Sequence, residues 1–286
     1  VTATLMAGGP LAERIRAHVA EDVKGLGGIG LATVQVGEDP ASTVYIRRKH
    51  EAAAEAAIAS TDLKLPENIS QEALVASVEL LNTDDEIDGI LVQLPLPRHL
   101  DEAAAVLAID PVKDVDGVHP FNAGQLYLGR PTLVPATPLG IMKLLAEYRI
   151  ELDGARAVVV GRSDIVGKPI AHLLLQANAT VTICHSHTEE LERHTLDADL
   201  LVVAAGLPGI ISPEMVKSGA AVVDVGISRT EAGLVGDVDP GTSAVAHFLT
   251  PVPGGVGPMT IAMVLSNTVR AAKLRRGLLA FPGRQR

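Results

Sequence analysis

The sequence predicts an α/β protein built on parallel sheets, and three observations carry that reading. Short apolar runs alternate with segments of helical period along most of the 286 residues, the pattern of repeated β–α units. The stretch Ala155–Pro169, ARAVVVGRSDIVGKP, reads as a buried strand over Ala157–Val160, a glycine turn and a helix entered near Val166, the opening βα unit of a nucleotide-binding sheet. The core must also be aliphatic: apolar residues make up 47% of the chain and aromatic ones 2%, with no Trp, so Ala, Val, Leu and Ile have to build it, as buried parallel sheets allow.

Taken in order, Gly9–Lys24 places Leu11, Ile15, Val19 and Val23 on one helical stripe. A strand follows at Ile29–Val36 and stops at Gly37. Asp39 and Pro40 form a helix-start pair, one accepting an amide bond and the other with its first-turn dihedral already set. The helix they open runs to about Ala57 and sets Ser42, Tyr45 and Lys49 along one stripe, polar where a core face would be apolar. Ala59–Leu65, Gln71–Leu81 and Gly89–Gln93 continue the alternation as strand, helix and strand, completing a small parallel sheet with covering helices. Gln93 falls at the carboxyl end of its strand, the edge at which open α/β sheets bind ligands. Asp110–Gly124 lacks a period and is rich in turn formers, so it reads as a long ordered loop.

Thr137 and Pro138 look like another cap and first-turn pair, opening a helix through Tyr148 that bridges two halves. Beyond the nucleotide unit come strands at Ala179–Cys184, Leu200–Ala204 and Ala221–Val225, with a further edge strand expected at Leu234–Val238. The proline- and glycine-rich Pro251–Pro258 then leads into a long apolar helix from about Met259 to Leu274, expected to return and pack on the N-terminal half.

The formal net charge of −10 argues against nucleic acid or an anionic membrane as the main partner. Cys184 is the one cysteine, so no intrachain disulfide forms, and a reduced buried thiol is expected. No apolar run reaches the roughly eighteen residues of a membrane span and the N-terminus lacks a signal pattern, so the expected location is the cytoplasm.

Several residues can carry chemistry. Gly161 allows a sharp turn and close approach of a pyrophosphate, and Gly167 allows close helix packing. The middle glycine of the usual G-x-G-x-x-G is absent, since Arg162 and Ser163 follow directly. About twenty residues on, where a free ribose hydroxyl would want a carboxylate, stand His185, Ser186, His187 and Thr188. Arg162 and Ser186 can instead hold a 2′-phosphate, which favours NADP over NAD; otherwise Arg162 is a solvated turn residue. A metal site at His185, His187 and His194 lacks a supporting cysteine or carboxylate cluster, and none is expected. Lys49 can move protons if partial burial lowers its pKa, with Tyr45 one helical turn away and the neutral Gln93 to orient it. Its alternative is a solvated face, like Arg47 and Arg48 beside it. Asp116 can hold an amidine-like edge, such as that of a pterin, by two parallel bonds, or both Asp114 and Asp116 can simply shape turns. Gly254, Gly255 and Gly257 suggest a rigid loop that approaches a ligand closely, or else a linker.

Together, Ser42–Lys49 (STVYIRRK), Val92–Pro97 (VQLPLP), Lys113–Gly117 (KDVDG), Gly161-Arg-Ser with Val166–Pro169 (VGKP), and Pro253–Thr260 (PGGVGPMT) resemble the bifunctional methylenetetrahydrofolate dehydrogenase/methenyltetrahydrofolate cyclohydrolase family. They occur in the family's order and span nearly the whole chain. The resemblance implies two three-layer αβα domains with mainly parallel sheets, the C-terminal one Rossmann-like, joined by long helices across a cleft. Residues 1–138 would form a folate-binding catalytic domain, completed by the C-terminal helix 259–286, and residues 139–258 the NADP-binding domain. It further implies NADP as cofactor, tetrahydrofolate derivatives as substrates and a homodimer. Lys49, tuned by Tyr45 and Gln93, would manage protons. Asp116, Ser42, Tyr45, Pro253, Gly254 and Gly255 would bind the folate, while Gly161, Arg162, Ser163, Ser186 and Ile227 would line the NADP site. Three rivals remain at this level: a family member that keeps only the dehydrogenase, an NADP-dependent dehydrogenase of another small substrate, and a nucleotide-sensing protein. The polar stripe opposite Gln93 speaks against the last two.

Overall fold

The computed structural model describes residues 2–37, 40–231 and 233–282, and of residues 40–45 the backbone alone. The chain forms two compact units, one of residues up to 12 with 137–260, the other of 13–136 with the chain from 261 on.

The first elements are β1 (Thr4–Leu5), α1 (Gly9–Leu26), β2 (Gly30–Val36), α2 (Pro40–Glu55), β3 (Ala59–Leu65), α3 (Gln71–Thr83), β4 (Gly89–Val92), α4 (Glu102–Leu107) and α5 (Pro120–Tyr127). There follow α6 (Ala136–Glu147), β5 (Arg156–Val160), α7 (Gly167–Gln176), β6 (Thr180–Cys184), α8 (Leu191–Thr195), β7 (Leu200–Val203), β8 (Ala221–Asp224), β9 (Ser228–Thr230), β10 (Gly233–Val235), β11 (Phe248–Leu249) and α9 (Val256–Arg275).

In the unit that holds residues 13–136, β3, β2 and β4 lie side by side in that order and all parallel. One face of this sheet seats Ala32, Val34, Ile90 and Val92 against Leu74 and Val78 of α3. The other is covered in part by α9, since a Cβ on Gly89 would lie 2.4 Å from Val115 Cγ1 and 3.2 Å from Thr268 Cγ2. The returning C-terminal helix is therefore a structural member of this unit. Arg275 and Arg276 pair with the buried Asp88 just before β4, which fixes its end.

In the other unit six parallel strands run in the order β1-β11-β8-β7-β5-β6. Successive residues of β5, β7 and β8 point to opposite faces. Ala157, Val159, Leu200, Val202, Ala221 and Val223 enter a core beneath α6 and α7. Val158, Val160, Leu201, Val203 and Val222 enter a second core on the reverse side. Burial on both faces is what unbroken Val and Leu runs require.

Several expectations need correction. Residues up to 12 do not belong with the N-terminal sheet, because β1 pairs with β11 and extends the six-stranded sheet; a two-residue strand has no period to reveal it. The expected loop Asp110–Gly124 ends at α5, whose first turn is set by Pro120 and capped by His119 Nδ1 accepting from Phe121 N at 3.0 Å. Thr137 lies inside α6 rather than capping it, and its hydroxyl pairs with that of Thr260 at 2.9 Å. Leu234–Val238 does not add an edge to the sheet: Gly233–Val235 forms an antiparallel hairpin with β9.

Candidate active site

Lys49 settles its own ambiguity through the face of α2 it occupies. Ile46, Lys49, Ala53 and Ala56 are buried in succession, whereas Arg47 and Arg48 are exposed. A lysine among alanines on a core-facing stripe is 4% exposed, and burial lowers its pKa while the Asp116 carboxylate pulls it back up. Lys49 Nζ donates to Gln93 Oε1 at 3.4 Å. Gln93 is placed by its own N–H, which bonds to Val34 O and prolongs the pairing of β4 with β2, and its amide Nε2 donates to Leu94 O at 2.8 Å. Ser42 and Tyr45 belong to α2, Tyr45 one turn before Lys49, but their side chains lie outside the described residues.

Of the two aspartates, Asp114 takes the turn-shaping role that the sequence allowed to both. Asp114 is fully buried and shapes the loop: it accepts from His119 N at 2.8 Å, Asn122 Nδ2 at 2.7 Å and Val118 N at 3.3 Å. Its burial pushes the carboxyl up to about 6, against the pull of those donors. Asp116 is half-buried and is the carboxylate coupled to Lys49; burial raises its pKa and Lys49 lowers it.

Everything around Asp116 is clamped. Lys113, also buried, donates from Nζ to Leu81 O at 2.9 Å and Asp84 O at 2.7 Å, so its charge meets the carbonyl end of α3, where a cation is favoured. Lys113 O accepts from Ile90 N. Val115 fills the space that glycine leaves at position 89. Gly117 has φ +68, and a Cβ there would lie 2.4 Å from Val134 C. Asn267 of α9 donates from Nδ2 to both Val115 O and Val134 O at 2.8 Å. Asn267 and the Asn122 and Thr132 that extend Asp114's hydrogen bonds were not marked by the sequence; a D-x-D pair beside a glycine was the one signal available.

The other unit gathers the residues expected at the nucleotide along the carboxyl edge of its sheet. β6 and β7 flank β5 on opposite sides, so the strand order reverses between β5 and β7, the position at which such sheets bind ligands. Gly161 stands at that point with φ +125, and a Cβ would lie 2.2 Å from Ala204 O. A Cβ on Gly167 would meet Gly161 O at 2.3 Å, so both glycines are required by backbone approach. Ser163 Oγ accepts from Val166 N at 3.2 Å and Gly167 N at 3.3 Å. With its oxygen engaged by two amides, the Ser163 hydroxyl proton is left to donate outward. Arg162 is exposed beside it, and Ser186 is exposed on the compact turn His185–Thr188, closed by His185 N to Thr188 Oγ1 at 2.9 Å. Ile227 is exposed and its Cδ1 lies near Gly257 at the start of α9. Together these residues fit an anionic dinucleotide: a cradle without side chains, an outward hydroxyl and an exposed guanidinium.

Pro253, Gly254 and Gly255 form the turn that feeds α9. Gly254 has φ +111 and its carbonyl accepts from Gly8 N at 2.9 Å, while a Cβ on Gly8 would lie 2.0 Å from Gly255 O. Close backbone contacts with Gly8 hold that turn, and Pro253 is exposed on it. Among the described residues no group of three or more His, Cys, Asp or Glu could hold a metal ion, and no helix is long and apolar enough to cross a membrane.

A six-stranded parallel sheet with a glycine turn at its switch point, and a separate α/β unit with a buried lysine near a carboxylate, define a two-unit nucleotide-binding α/β enzyme class. The chain belongs to the tetrahydrofolate dehydrogenase/cyclohydrolase family: that family's catalytic domain matches residues 6–116 and its NAD(P)-binding domain residues 135–276. Two proteins described as bifunctional protein FolD are similar to it over nearly their full length. The one from Enterococcus faecalis is 52% identical, the match covering 96% of this chain and 99% of the relative; the one from Paraburkholderia phytofirmans is 53% identical over 96% and 98%. The crystal structure of the bifunctional FolD methylenetetrahydrofolate dehydrogenase/cyclohydrolase from Campylobacter jejuni superposes with TM-score 0.94 at 48% identity, covering 96% of this chain and 99% of that one. A Trypanosoma brucei methylenetetrahydrofolate dehydrogenase-cyclohydrolase complexed with NADP and an inhibitor gives 0.91 at 39% identity, covering 98% and 100%.

Proposed function

We propose that Lys49 handles the proton in the hydrolytic half of a two-step reaction on a folate-borne one-carbon unit. The chain is a bifunctional enzyme: it oxidises 5,10-methylenetetrahydrofolate to the 5,10-methenyl cation and then hydrolyses that cation to 10-formyltetrahydrofolate. NADP, when bound, supplies the hydride acceptor. The oxidation requires no protein base, because the folate nitrogens stabilise the cation, so the protein's work there is to position the reactants.

Hydrolysis differs. Water that attacks the cation must lose a proton, and an ordinary ammonium cannot accept it near neutrality. The observation that carries the reading is Lys49 at 4% exposure, hydrogen-bonded to Gln93. Burial favours its neutral, accepting form, and Gln93 orients the amine without holding it charged. Tyr45, Ser42, Pro253, Gly254 and Gly255 line the folate, and Asp116 holds the pterin edge through two parallel hydrogen bonds. Residues Gly161, Arg162, Ser163, Ser186 and Ile227 receive the dinucleotide, with Arg162 and Ser186 on its 2′-phosphate. The enzyme works as a homodimer in the cytoplasm; a monomeric mass by light scattering would remove the first of these two statements.

The decisive experiment is Lys49→Met. Cyclohydrolase turnover should fall by at least about 100-fold, the scale of lost acid–base catalysis, while NADP still binds with its native affinity. Methenyltetrahydrofolate absorbance followed with NADP present reports both steps. Undiminished decay of that absorbance in the variant would take Lys49 out of the mechanism.

A further inference from the structure

We propose that Asp237, assisted by Asp224, is a positioning residue for the cofactor: it holds the loop after β7 in the shape the dinucleotide meets. The inference rests on the proposed placement of NADP at the Gly161 turn. That turn touches the loop in question, since Gly161 approaches the Ala204 carbonyl too closely to admit a side chain. Residues 205–206 therefore form the β7 side of the switch-point crevice.

Asp237 closes this loop from both ends. Its Oδ2 accepts from Ala205 N and from Gly206 N, each at 2.8 Å. Its backbone carbonyl accepts from Ile211 N at 3.2 Å, and Gly209 N and Asp239 N complete the seam by bonding to Gly236 O and Ile211 O. The Asp237 N–H is in turn held at 2.9 Å by Asp224 Oδ1, which also accepts from Gly226 N at 3.0 Å. Asp224 Oδ2 accepts from Val238 N at 3.0 Å. Two buried carboxylates thus fix five backbone amides from three segments, 205–206, 226 and 237–238, two of which stand at the cofactor edge of the sheet.

One oxygen of the arrangement is buried without a partner, a local cost that points to function. Asp237 is completely buried, yet its Oδ1 has no hydrogen-bond partner among the described residues, and such atoms are rare. Gly226 and Gly236 must lack side chains to make room, since a Cβ would lie 2.2 Å from Asp237 Oδ1 and 1.8 Å from Asp224 Oδ2. A sheet edge needing only solubility could leave the 205–206 amides to water. A fixed loop instead presents its outer surface to the ligand already ordered, so binding does not have to order it.

Asp237→Asn keeps an acceptor of the same shape but removes the charge from both hydrogen bonds. Its KM for NADP and for NAD should rise alike, by about fivefold to tenfold. The cyclohydrolase rate and the dehydrogenase kcat at saturating cofactor should stay within about twofold of native, on the scale of one lost hydrogen bond's spread. Unchanged KM values, or both activities falling together with Tm, would reduce Asp237 to a structural residue and overturn the proposal. A change in the NADP-to-NAD ratio alone is the signature of Arg162, so failure here and failure of the cofactor placement are separable. Hydrogen exchange on the native enzyme tests the same point without a folded variant. The Ala205 and Gly206 amides should be protected without NADP as they are with it, and free exchange in its absence would refute the preformed loop.

Discussion

The loop at 113–117 and the turn at 161–167, proposed to meet the folate and the dinucleotide, are built by opposite means. The first is held by side chains: Lys113 reaches the end of α3, Asp114 gathers three donors, Val115 fills the gap at Gly89, and Asn267 bonds the carbonyls on either side. In the second, side chains are removed so that backbone can touch backbone, at Gly161 against Ala204 and at Gly167 against Gly161. A group that must remain buried at an unusual pKa needs a rigid scaffold on every side. A phosphate needs only amides, a hydroxyl and access.

The sharpest test of that contrast uses the glycine each loop contains. Gly117→Ala forces a Cβ to 2.4 Å from Val134 C in a left-handed backbone, and both costs together should lower stability by about 4 kcal/mol. Both activities should fall, because Asp116 is its neighbour. Gly161→Ala, at φ +125 with a Cβ 2.2 Å from Ala204 O, should cost about as much stability, but should raise the cofactor KM and leave the cyclohydrolase turnover of the folded enzyme intact. Denaturant titration with paired assays distinguishes the two; a Gly161→Ala enzyme that loses hydrolysis as well would show that the loops are not independent.

The same contrast governs what could be read from the sequence. Glycine turns after apolar strands are local signals, and the strand–turn–helix at 157–176 was legible from one stretch of residues. The K-D-V-D-G segment was legible as a site but not as a division of labour, because Asp114 and Asp116 differ only in what folds around them. Asn267 comes to its partners from more than a hundred residues away, and the Asp224 carboxylate reaches the Asp237 N–H across a hairpin that was expected as an edge strand. Burial of Lys49 was invisible for a related reason: a stripe holding Ser42, Tyr45 and Lys49 reads as polar, whereas Ile46, Ala53 and Ala56 place it against the core.

The cost of the side-chain scaffold should appear in the pH dependence of stability. Asp114 and Asp224 are both raised to about 6 by burial, above the ordinary carboxyl value near 3.8. The folded chain then keeps protons that the unfolded chain gives up between about pH 4 and 6. That contribution is whole below about 4 and is lost as pH rises through 6. For Asp114 the loss is up to about 3 kcal/mol. Asp114→Asn removes the titration, so the native-minus-variant difference in unfolding free energy should shrink from pH 4 to 6.5. An equal difference at all pH values would mean that Asp114 is not perturbed by its burial.

Asn267→Ala tests whether the clamp matters for binding as well as stability. Removing two bonds to buried carbonyls should cost about 2 kcal/mol and should raise the KM for folate in both reactions while the KM for NADP stays native. A native folate KM would mean that the remaining partners of the loop suffice to hold Asp116.

The smallest effect is expected where the protein relies on an exposed charge. Arg162 is exposed on its turn, so the hydrogen bond proposed for it to a 2′-phosphate would compete with water and should contribute about 1.5 kcal/mol, the low end for a charged pair. Arg162→Ala should therefore narrow the preference for NADP over NAD about tenfold with no change in stability. The remaining selectivity would come from Ser186 and from the lack of a carboxylate after β6, since nothing at His185–Thr188 repels a phosphate. Raising the salt concentration should reduce the native preference and leave that of the variant nearly constant, because screening acts on the exposed guanidinium. If the cofactor ratio of Arg162→Ala matches the native one at low salt, the 2′-phosphate lies elsewhere, and the turn at 161–167 serves the pyrophosphate alone.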